Sequence, residues 1–299
     1  MKALVFGAAG QDGQHLKWLL EECGVEVFGV SRSSGDATFS VGNPTKVREV
    51  VAQFQPDYVF HLAATSSTDH RHLWANHDTI AGGTLAVLEA VHQTCPKARV
   101  FLAGSGFQFE NEGFPLDEDC RLGHSSAYVV ARNQSLFAAR YYRTLGVKVY
   151  FGFLFHHDSP LRSSQHMSMK IAEAAALAST GNSGRLLLGD LDAEKEYTFA
   201  GDVVTAIWTF VRQDEISECV IGSGRVYSIR QWAQGCFEHV GLDWANYLGV
   251  DPAYSNPCRR LVSNPAKLRS MGWQPKVQFG QLCEMMMQGA LKRVTSRGC

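Results

Sequence analysis

The sequence predicts an α/β fold, a doubly wound parallel sheet joined to a smaller C-terminal lobe. Three observations support this fold class. Short β-rich runs alternate with helical stretches, a glycine-rich turn follows the first strand, and the alternation ends after Phe155. Repeated strand–helix units of this kind form a parallel sheet with right-handed crossovers and helices on both faces.

The first strand passes directly into a glycine-rich turn. An apolar run beginning at residue 3 leads into Gly7, Gly10 and Gly13, and an amphipathic leucine pattern follows. Glycines at this spacing let the backbone turn sharply, let a phosphate approach the main chain, and let the helix pack closely on the strand. The helix N-terminus then faces that phosphate. A turn without a ligand is the less favoured interpretation, so we expect a dinucleotide site.

The remaining elements follow in the order that a parallel sheet requires. Strands are predicted over residues 25–30, 58–62, 100–103 and 147–151, and helices over 43–54, 79–94 and 128–145. The polar segment 156–164 contains a proline and is predicted to be a loop. Later helices are predicted over 168–180, 203–212, 229–240 and 279–292.

This pattern predicts two domains. Residues 1–155 are expected to form the dinucleotide-binding domain, to which the chain returns near residues 199–222. Residues 156–198 and 223–299 are expected to form the smaller substrate-binding lobe. No internal repeat or low-complexity segment interrupts this plan.

Composition argues against several classes of partner. The 299 residues carry a net charge of −1 without a basic or acidic block, so we expect no binding to nucleic acid or anionic membranes. No apolar run approaches the ~20 residues of a membrane span. The eight cysteines form no Cys-x-x-Cys pair, which is typical of reduced thiols in the cytoplasm, and the histidines lack metal-site spacing. We therefore expect a cytoplasmic protein without a metal site.

Arg32 lies at the carboxyl edge of the predicted sheet, where ligands of such folds bind. It follows the second strand, at the point where dinucleotide-binding folds meet the adenosine ribose. An acidic residue there favours NAD, whereas an arginine beside two serines favours the 2′-phosphate of NADP. A solvated loop arginine is the other interpretation. We expect NADP as the cofactor, with NAD as the alternative.

Three polar residues form a second candidate site at the same edge. Ser105 ends a predicted strand, and Tyr128 and Arg132 are four residues apart on one face of the next helix. A cation beside a tyrosine favours the phenolate, which lets the tyrosine exchange a proton with a sugar hydroxyl. Ser105 is placed to bond the same oxygen. We therefore predict that Ser105, Tyr128 and Arg132 are catalytic.

The chain resembles the extended short-chain dehydrogenase/reductase superfamily, and within it the GDP-mannose 4,6-dehydratase group. Gly-Gln-Asp-Gly at 10–13 and Phe-x-His-x-Ser-Pro at 155–160 are fairly specific to that group. Segments shared more widely support the resemblance along nearly the whole chain: 61–64, 83–85, 188–193 and 265–277.

The resemblance implies a Rossmann-type domain that holds NADP(H) and a lobe that holds a GDP-sugar. Together with Arg32, the implied cofactor contacts are Gly7, Gly10, Gln11, Asp12, Gly13, Leu62, Ala63, Ala64, Tyr128 and Arg132. His156 takes the place of an asparagine near the sugar diphosphate, and the candidate nucleotide contacts are Lys170, Lys195, Arg259 and Arg260. Pairing through the helices near 79–94 and 128–145 is also implied, so we expect a homodimer or homotetramer.

Two departures from the family pattern bear on the chemistry. The family oxidises the sugar at C4, removes a C5 proton with a glutamate, loses water from C6 and returns the hydride to C6. Phe107 stands where that glutamate is expected, and Phe107 cannot accept a proton. Arg132 replaces a lysine and, with a pKa above ~12, cannot relay a proton.

These departures lead to one main hypothesis and two alternatives. The main hypothesis is an enzyme that moves a hydride at C4 of a GDP-hexose-like substrate without dehydrating it. The first alternative is a GDP-mannose 4,6-dehydratase that uses another base, such as Glu110 or His124. The second is a catalytically silent nucleotide-binding subunit, which the changes at Phe107 and Arg132 also permit.

Overall fold

The computed structural model describes residues 1–182, 184–251 and 259–297. Its strands, in chain order, are β1 (Lys2–Phe6), β2 (Glu26–Ser31), β3 (Ala37–Thr38), β4 (Tyr58–His61), β5 (Arg99–Ser105), β6 (Lys148–Leu154), β7 (His157–Asp158), β8 (Leu186–Leu188), β9 (Glu194–Glu196), β10 (Thr198–Phe199), β11 (Glu218–Ile221), β12 (Val226–Ser228), β13 (Leu248–Val250) and β14 (Arg260–Leu261). The helices are α1 (Gln11–Glu22), α2 (Pro44–Phe54), α3 (Leu73–Asn76), α4 (Gly83–Thr94), α5 (Ala127–Thr144), α6 (Met167–Ser179), α7 (Ala200–Val211), α8 (Ile229–Glu238), α9 (Ala266–Ser270) and α10 (Phe279–Arg297). None of the described helices is long and apolar enough to cross a membrane.

A seven-stranded parallel sheet organises the larger part of the fold. Its strand order is β11-β6-β5-β4-β1-β2-β3, and every neighbouring pair is parallel. The order reverses between β1 and β4, which opens a crevice at the carboxyl ends of these strands. The sheet confirms the predicted doubly wound α/β fold class.

Successive side chains of β1 enter two different cores, because side chains alternate across a strand. Ala3 and Val5 pack with residues of α1 and α7, including Leu16 and Trp208. Leu4 and Phe6 pack on the other face, in a core to which α2, α4 and α5 contribute. Burial on both faces explains why β1 reads as a continuous apolar run.

The C-terminal lobe has its own core. Helices α6, α8 and α10 bury a cluster that contains Ile171, Trp232 and Met286. Between α6 and α8 the chain returns to the large sheet, where β11 pairs with β6 and Val220 lies opposite Phe153. Fully buried Glu196 links β9 to later segments by accepting the backbone N–H groups of Ser223 and Ser263. The division into two domains stays a prediction.

Several local predictions differ from the structure. The segment 156–164 is not entirely a loop, because His157–Asp158 form β7 and pair with β10. The helix predicted from residue 79 begins at Gly83, since the six residues before it, His77–Gly82, form a π-helix. Strand β3 was not predicted, because two residues cannot show the alternation that marks a strand.

Candidate active site

The glycine-rich turn closes against the segment that follows β4. Gly7 has a φ of +92°, a conformation that side chains rarely adopt. A Cβ atom on Gly7 would lie 2.7 Å from the backbone nitrogen of Ala63, and one on Gly13 would lie 2.7 Å from the Cα of Ala8. Gly10 is the N-cap of α1, so the free N–H groups of the helix point into the crevice. Close packing of the backbone within the turn and against the segment after β4 therefore requires glycine at positions 7 and 13.

A first cavity of about 280 Å³ lies above this turn, at the ends of β1, β2 and β4. The predicted cofactor residues that line it are Gly7, Gly10, Arg32, Leu62, Ala63 and Ala64. The Arg32 side chain is exposed at its rim, beside Ser33. Since the turn leaves no room for a Cβ atom and the helix N-terminus faces the cavity, these residues fit a dinucleotide phosphate and its adenosine.

A second cavity of about 290 Å³ adjoins the first, and Leu62 lines both. It brings together six further predicted site residues: Asp12, Ser105, Tyr128, Arg132, His156 and Lys195. Ser105 comes from the end of β5 and the other two members of the predicted catalytic trio from the first turns of α5. Residues as distant in the chain as Ser105 and Lys195 therefore meet at the carboxyl edge of the sheet.

Tyr128 and Arg132 form a fixed pair inside this cavity. The Arg132 side chain is buried, and its Nε donates to the Tyr128 hydroxyl oxygen at 3.2 Å. The guanidinium carbon lies 5.2 Å from the centroid of the tyrosine ring, and a second nitrogen donates to the carbonyl of Ala103. This arrangement places a positive charge beside the phenol oxygen and leaves the phenol hydrogen for another acceptor.

Ser105 is held by the short turn that follows it. Its Oγ accepts the N–H of Phe107 at 3.2 Å, and its own N–H donates to Oε1 of Gln108 at 2.8 Å. Reciprocal bonds of this kind form a capping box that fixes the backbone. Because Oγ acts as an acceptor here, its hydrogen is available to a ligand in the cavity.

Phe107 contributes to the wall of the second cavity and is 39% exposed. It also lines an adjoining cavity of about 490 Å³, together with Glu110 and His124. Among the described residues that line the second cavity, the only carboxylate is that of Asp12. An aromatic ring, rather than a proton acceptor, therefore follows Ser105 in the wall of this cavity.

Asp12 is occupied by a partner from a distant segment. Its carboxylate lies 2.9 Å from Nε2 of His157, while Oγ of Ser159 donates to Oε1 of Gln11 at 3.0 Å. Burial alone would lower the pKa of His157, but the charge of Asp12 outweighs burial and raises it. Burial would likewise raise the pKa of Asp12, yet His157 holds it well below its usual range. The two stretches most specific to the resemblance thus contact each other.

A second charged cluster lies beneath the cavity. Asp158 is fully buried, and its two oxygens lie 2.7 Å from Nε2 of His156 and 2.7 Å from Nε of Arg162. Although burial favours the neutral acid, these two partners hold the pKa of Asp158 far below its usual range. Burial lowers the pKa of His156 despite the nearby carboxylate. The contacts of Asp158 with His156 and Arg162 hold the segment that carries His156 in place.

Some predicted ligand contacts lie outside both cavities. Lys170 is exposed on α6, and the charges of two others are neutralised by carboxylates: Arg259 lies 3.0 Å from Asp190, and Arg260 lies 3.0 Å from Glu194. The side chain of Gln11 bonds Ser159 and Asp12 instead of lining a cavity. The structure therefore gives these side chains no direct place at the two cavities.

Three further ionisable side chains lie at or next to the second cavity and were not expected from the sequence. Asp158 supports His156 from below, and Arg162 and His166 line the second cavity. Burial lowers the pKa of His166 to about 4, so it is neutral at neutral pH. The available signal was the density of ionisable residues over 156–166, which a surface loop explains equally well.

Comparisons with known proteins identify the family of the chain. The chain matches the GDP-mannose 4,6 dehydratase family over residues 4–286. GDP-mannose 4,6 dehydratase 1 of Arabidopsis thaliana is 27% identical over 97% of this chain and 90% of its own length. GDP-mannose 4,6-dehydratase of Sinorhizobium fredii is 28% identical over 96% of this chain and 95% of its own length.

Solved structures share the fold. UDP-glucose 4-epimerase of Thermotoga maritima, solved with UDP-glucose, has a TM-score of 0.87 at 23% identity and covers 99% of this chain and 100% of its own. RMD from Pseudomonas aeruginosa, solved with NADPH, has a TM-score of 0.86 at 20% identity. The match covers 98% of this chain and 99% of the RMD chain. These structures confirm the Rossmann-type fold, and the sequence matches confirm the predicted class of nucleotide-sugar enzyme. The chain belongs to the GDP-mannose 4,6 dehydratase family.

Proposed function

We propose that the protein is an NAD(P)(H)-dependent oxidoreductase that moves a hydride at C4 of a GDP-hexose-like substrate without dehydrating it. The observation that carries this proposal is the composition of the second cavity. Ser105, Tyr128 and Arg132 line it together, whereas its one described carboxylate, Asp12, is engaged by His157. Groups for proton exchange at a sugar oxygen are present, and the described lining residues include no unengaged carboxylate that could take the place of the glutamate at C5.

The three residues have distinct roles at the oxygen on C4. In the oxidising direction, the Tyr128 phenolate takes the proton from this hydroxyl as the hydride leaves C4, and in the reducing direction Tyr128 returns it. Ser105 donates a hydrogen bond to the same oxygen and holds it in place. Arg132 supplies the positive charge that stabilises the phenolate, through the bond that it already donates.

The residues of the first cavity would hold the dinucleotide. Gly7, Gly10 and the N-terminus of α1 suit its phosphates, and Arg32 suits the 2′-phosphate of NADP. A bound nicotinamide supplies the hydride acceptor or donor for C4. The solved RMD structure contains NADPH, and its fold is shared, which supports a nicotinamide cofactor in this crevice.

We propose that the nucleotide sugar enters the second cavity with its diphosphate towards the C-terminal lobe. His156, Arg162 and Lys195 line the cavity on segments of that lobe and can bond or neutralise phosphate oxygens. The curated relatives are named for GDP-mannose, which supports a guanine nucleotide.

The experiment that tests this function compares two substrates. Purified protein is incubated with NADPH and the GDP-linked 4-keto-6-deoxy sugar, and separately with GDP-mannose and NADP. We expect reduction at C4 in the first reaction and no 4-keto-6-deoxy sugar in the second. Formation of that sugar from GDP-mannose would contradict the proposal, as would failure of the reduction.

One observation favours a second candidate, a dehydratase with a different base. Glu110 and His124 both line the cavity that adjoins Phe107, so a substrate spanning both cavities would meet them. In that case Glu110→Gln or His124→Gln would abolish exchange of the C5 proton with solvent while C4 oxidation continues. If neither variant changes C5 exchange, this candidate fails.

We also propose a homodimer or homotetramer assembled through α4 and α5. These helices are joined by a 2.9 Å bond between Thr84 and Ser135, and their outer faces leave Leu85, Phe137 and Tyr141 more than half exposed. Apolar side chains clustered in this way are typical of an interaction surface. Light scattering should show an oligomer for the native chain and a smaller species for Phe137→Asp, whereas Phe114→Asp on another surface should leave the mass unchanged.

We propose a cytoplasmic location for the protein. The described cysteines, such as the buried Cys236 and Cys283, are all free thiols, as a reducing compartment permits. Localisation of a tagged chain by fractionation would test this, and recovery in an oxidising compartment would contradict it.

A further inference from the structure

Phe107 forms part of an apolar wall beside the catalytic trio. Its ring and the side chain of Leu261 line both the second cavity and the adjoining one, with Thr68 as the polar member of the shared wall. Phe155 also lines the second cavity, and its ring lies about 3 Å from where a Cβ atom of Gly106 would be. At the boundary between the two cavities, Phe107 and Leu261 therefore present carbon to a ligand, beside the hydroxyl group of Thr68.

The position of this wall relative to the sugar follows from the proposed function, on which the inference rests. Ser105 and Tyr128 take the oxygen on C4, and the diphosphate on C1 points to the cations of the lobe. A pyranose ring held at C4 and C1 has two edges, C2–C3 and C5–O5, and C6 projects from the second, called the C5–C6 edge below. The backbone N–H of Phe107 donates to Oγ of Ser105 at 3.2 Å and both residues line the second cavity, so we place the Phe107 ring beside one of these edges.

Polarity decides which edge faces Phe107. The C2–C3 edge of a hexose carries two hydroxyl groups, and burying them against carbon would leave them without hydrogen-bond partners. The C5–C6 edge is apolar when C6 is a methyl group. An aromatic ring stacks well against such a C–H-rich edge, and a C6 hydroxyl there would lose its hydration.

We propose that Phe107 determines specificity at C6, by selecting a 6-deoxy sugar over one with a C6 hydroxyl. Apolar pockets reject an added hydroxyl group only moderately, by about 10- to 100-fold in kcat/KM. The wild-type protein should show a preference of this size. The preference should depend on the aromatic or aliphatic character of residue 107 and not on the catalytic trio.

The test uses GDP-mannose and GDP-6-deoxymannose, which differ only at C6. NADPH formation from each sugar gives the ratio of kcat/KM values, and calorimetric Kd values give a second readout that needs no turnover. We expect that in Phe107→Ser the two sugars differ by no more than about threefold in kcat/KM and in Kd. The serine hydroxyl offers the C6 hydroxyl a hydrogen-bond partner where the wild-type protein offers carbon. Phe107→Leu should keep the preference. Phe114→Ala, which removes an exposed aromatic ring that lines neither cavity, should behave as wild type.

The outcomes separate this inference from the proposed function. Equal kcat/KM and Kd values for the two sugars in the wild-type protein would overturn the role of Phe107, as would an unchanged preference in Phe107→Ser. A Kd preference that disappears in Phe107→Ser without any hydride transfer at C4 would support Phe107 and contradict the proposed function instead.

Discussion

The Tyr128 hydroxyl carries the proton in the proposed reaction, so its removal is a direct test at the scale of one residue. Tyr128→Phe should lower kcat for reduction of the 4-keto sugar by about 10²- to 10⁴-fold, the usual contribution of a general acid. Tyr141→Phe is the matched control, since Tyr141 lies exposed on the same helix. Steady-state kinetics of both variants would measure this. Retention of wild-type kcat in Tyr128→Phe would remove Tyr128 from the mechanism.

Arg32 is the residue expected to set the cofactor preference. Arg32→Asp should reverse a preference for NADPH over NADH, because the carboxylate repels the 2′-phosphate and accepts a bond from a free ribose hydroxyl. A charged hydrogen bond contributes about 1.5 to 3 kcal/mol, so we expect a change of about 10- to 150-fold in the kcat/KM ratio. Arg48→Asp, an exposed charge reversal on α2, should leave the ratio unchanged. An equal ratio in Arg32→Asp and wild type would show that Arg32 does not contact the cofactor.

At the scale of elements, the turn between β1 and α1 allows no side chain at its third glycine. A Cβ atom in Gly13→Ala would overlap the carbonyl oxygen of Gly7 and the Cα of Ala8. Overpacking of this kind costs about 1 to 3 kcal/mol, and distortion of the turn should weaken NADPH binding by about tenfold or more. Gly280→Ala is the control, because nothing lies within 4 Å of its added Cβ. Fluorescence titration measures both Kd values, and an unchanged Kd in Gly13→Ala would exclude phosphate binding at this turn.

The link between α1 and the segment around β7 should make stability depend on pH. The pKa of His157 is raised above 6.5, so its contribution is full below that value and is lost as the pH rises through the folded pKa. The pKa of Asp12 is lowered from 3.8, so its contribution is present above that value and is lost as the pH falls through the folded pKa. The pair therefore stabilises the fold most between these two values.

Asp12→Asn removes this charge pair. We expect the free energy of unfolding to fall by about 1 to 3 kcal/mol at about pH 5.5, and by less at about pH 8.5. Asp192→Asn, which removes an exposed partner of Arg230, should show no such difference between these two pH values. Chemical denaturation of the three proteins provides the measurement. If Asp12→Asn lowered the free energy of unfolding equally at both pH values, the stabilising role of the charge pair would be contradicted.

The large sheet could be predicted from the sequence because its strands carry local signals. β1 and β5 are apolar on both faces, and the glycines between β1 and α1 mark the point where the strand ends. Residues 128 and 132 could likewise be placed side by side from a local pattern, since residues four apart lie on the same face of a helix. Local patterns therefore point to the residues that line the first cavity and to Ser105, Tyr128 and Arg132 at the second, while the roles of these residues stay predictions.

The remaining parts of the site depend on contacts between distant segments. Asp12 and His157 lie on segments more than a hundred residues apart, and no local pattern marks them as partners. Strand β7 exists only because β10 pairs with it, and two polar residues carry no strand signal of their own. Arg259 and Arg260 depend on distant contacts in the same way, because only the fold brings the carboxylates of Asp190 and Glu194 to 3.0 Å from them.

The molecule as a whole is proposed to transfer a hydride at C4 without removing the proton at C5. The most direct measurement combines two isotope experiments with the native protein. With NADPH deuterated at the transferable position and the GDP-linked 4-keto-6-deoxy sugar, deuterium should appear at C4 of the product. With GDP-mannose and NADP in D₂O, no deuterium should enter C5 and no 4-keto-6-deoxy sugar should form. Deuterium at C5, together with that sugar, would contradict the account.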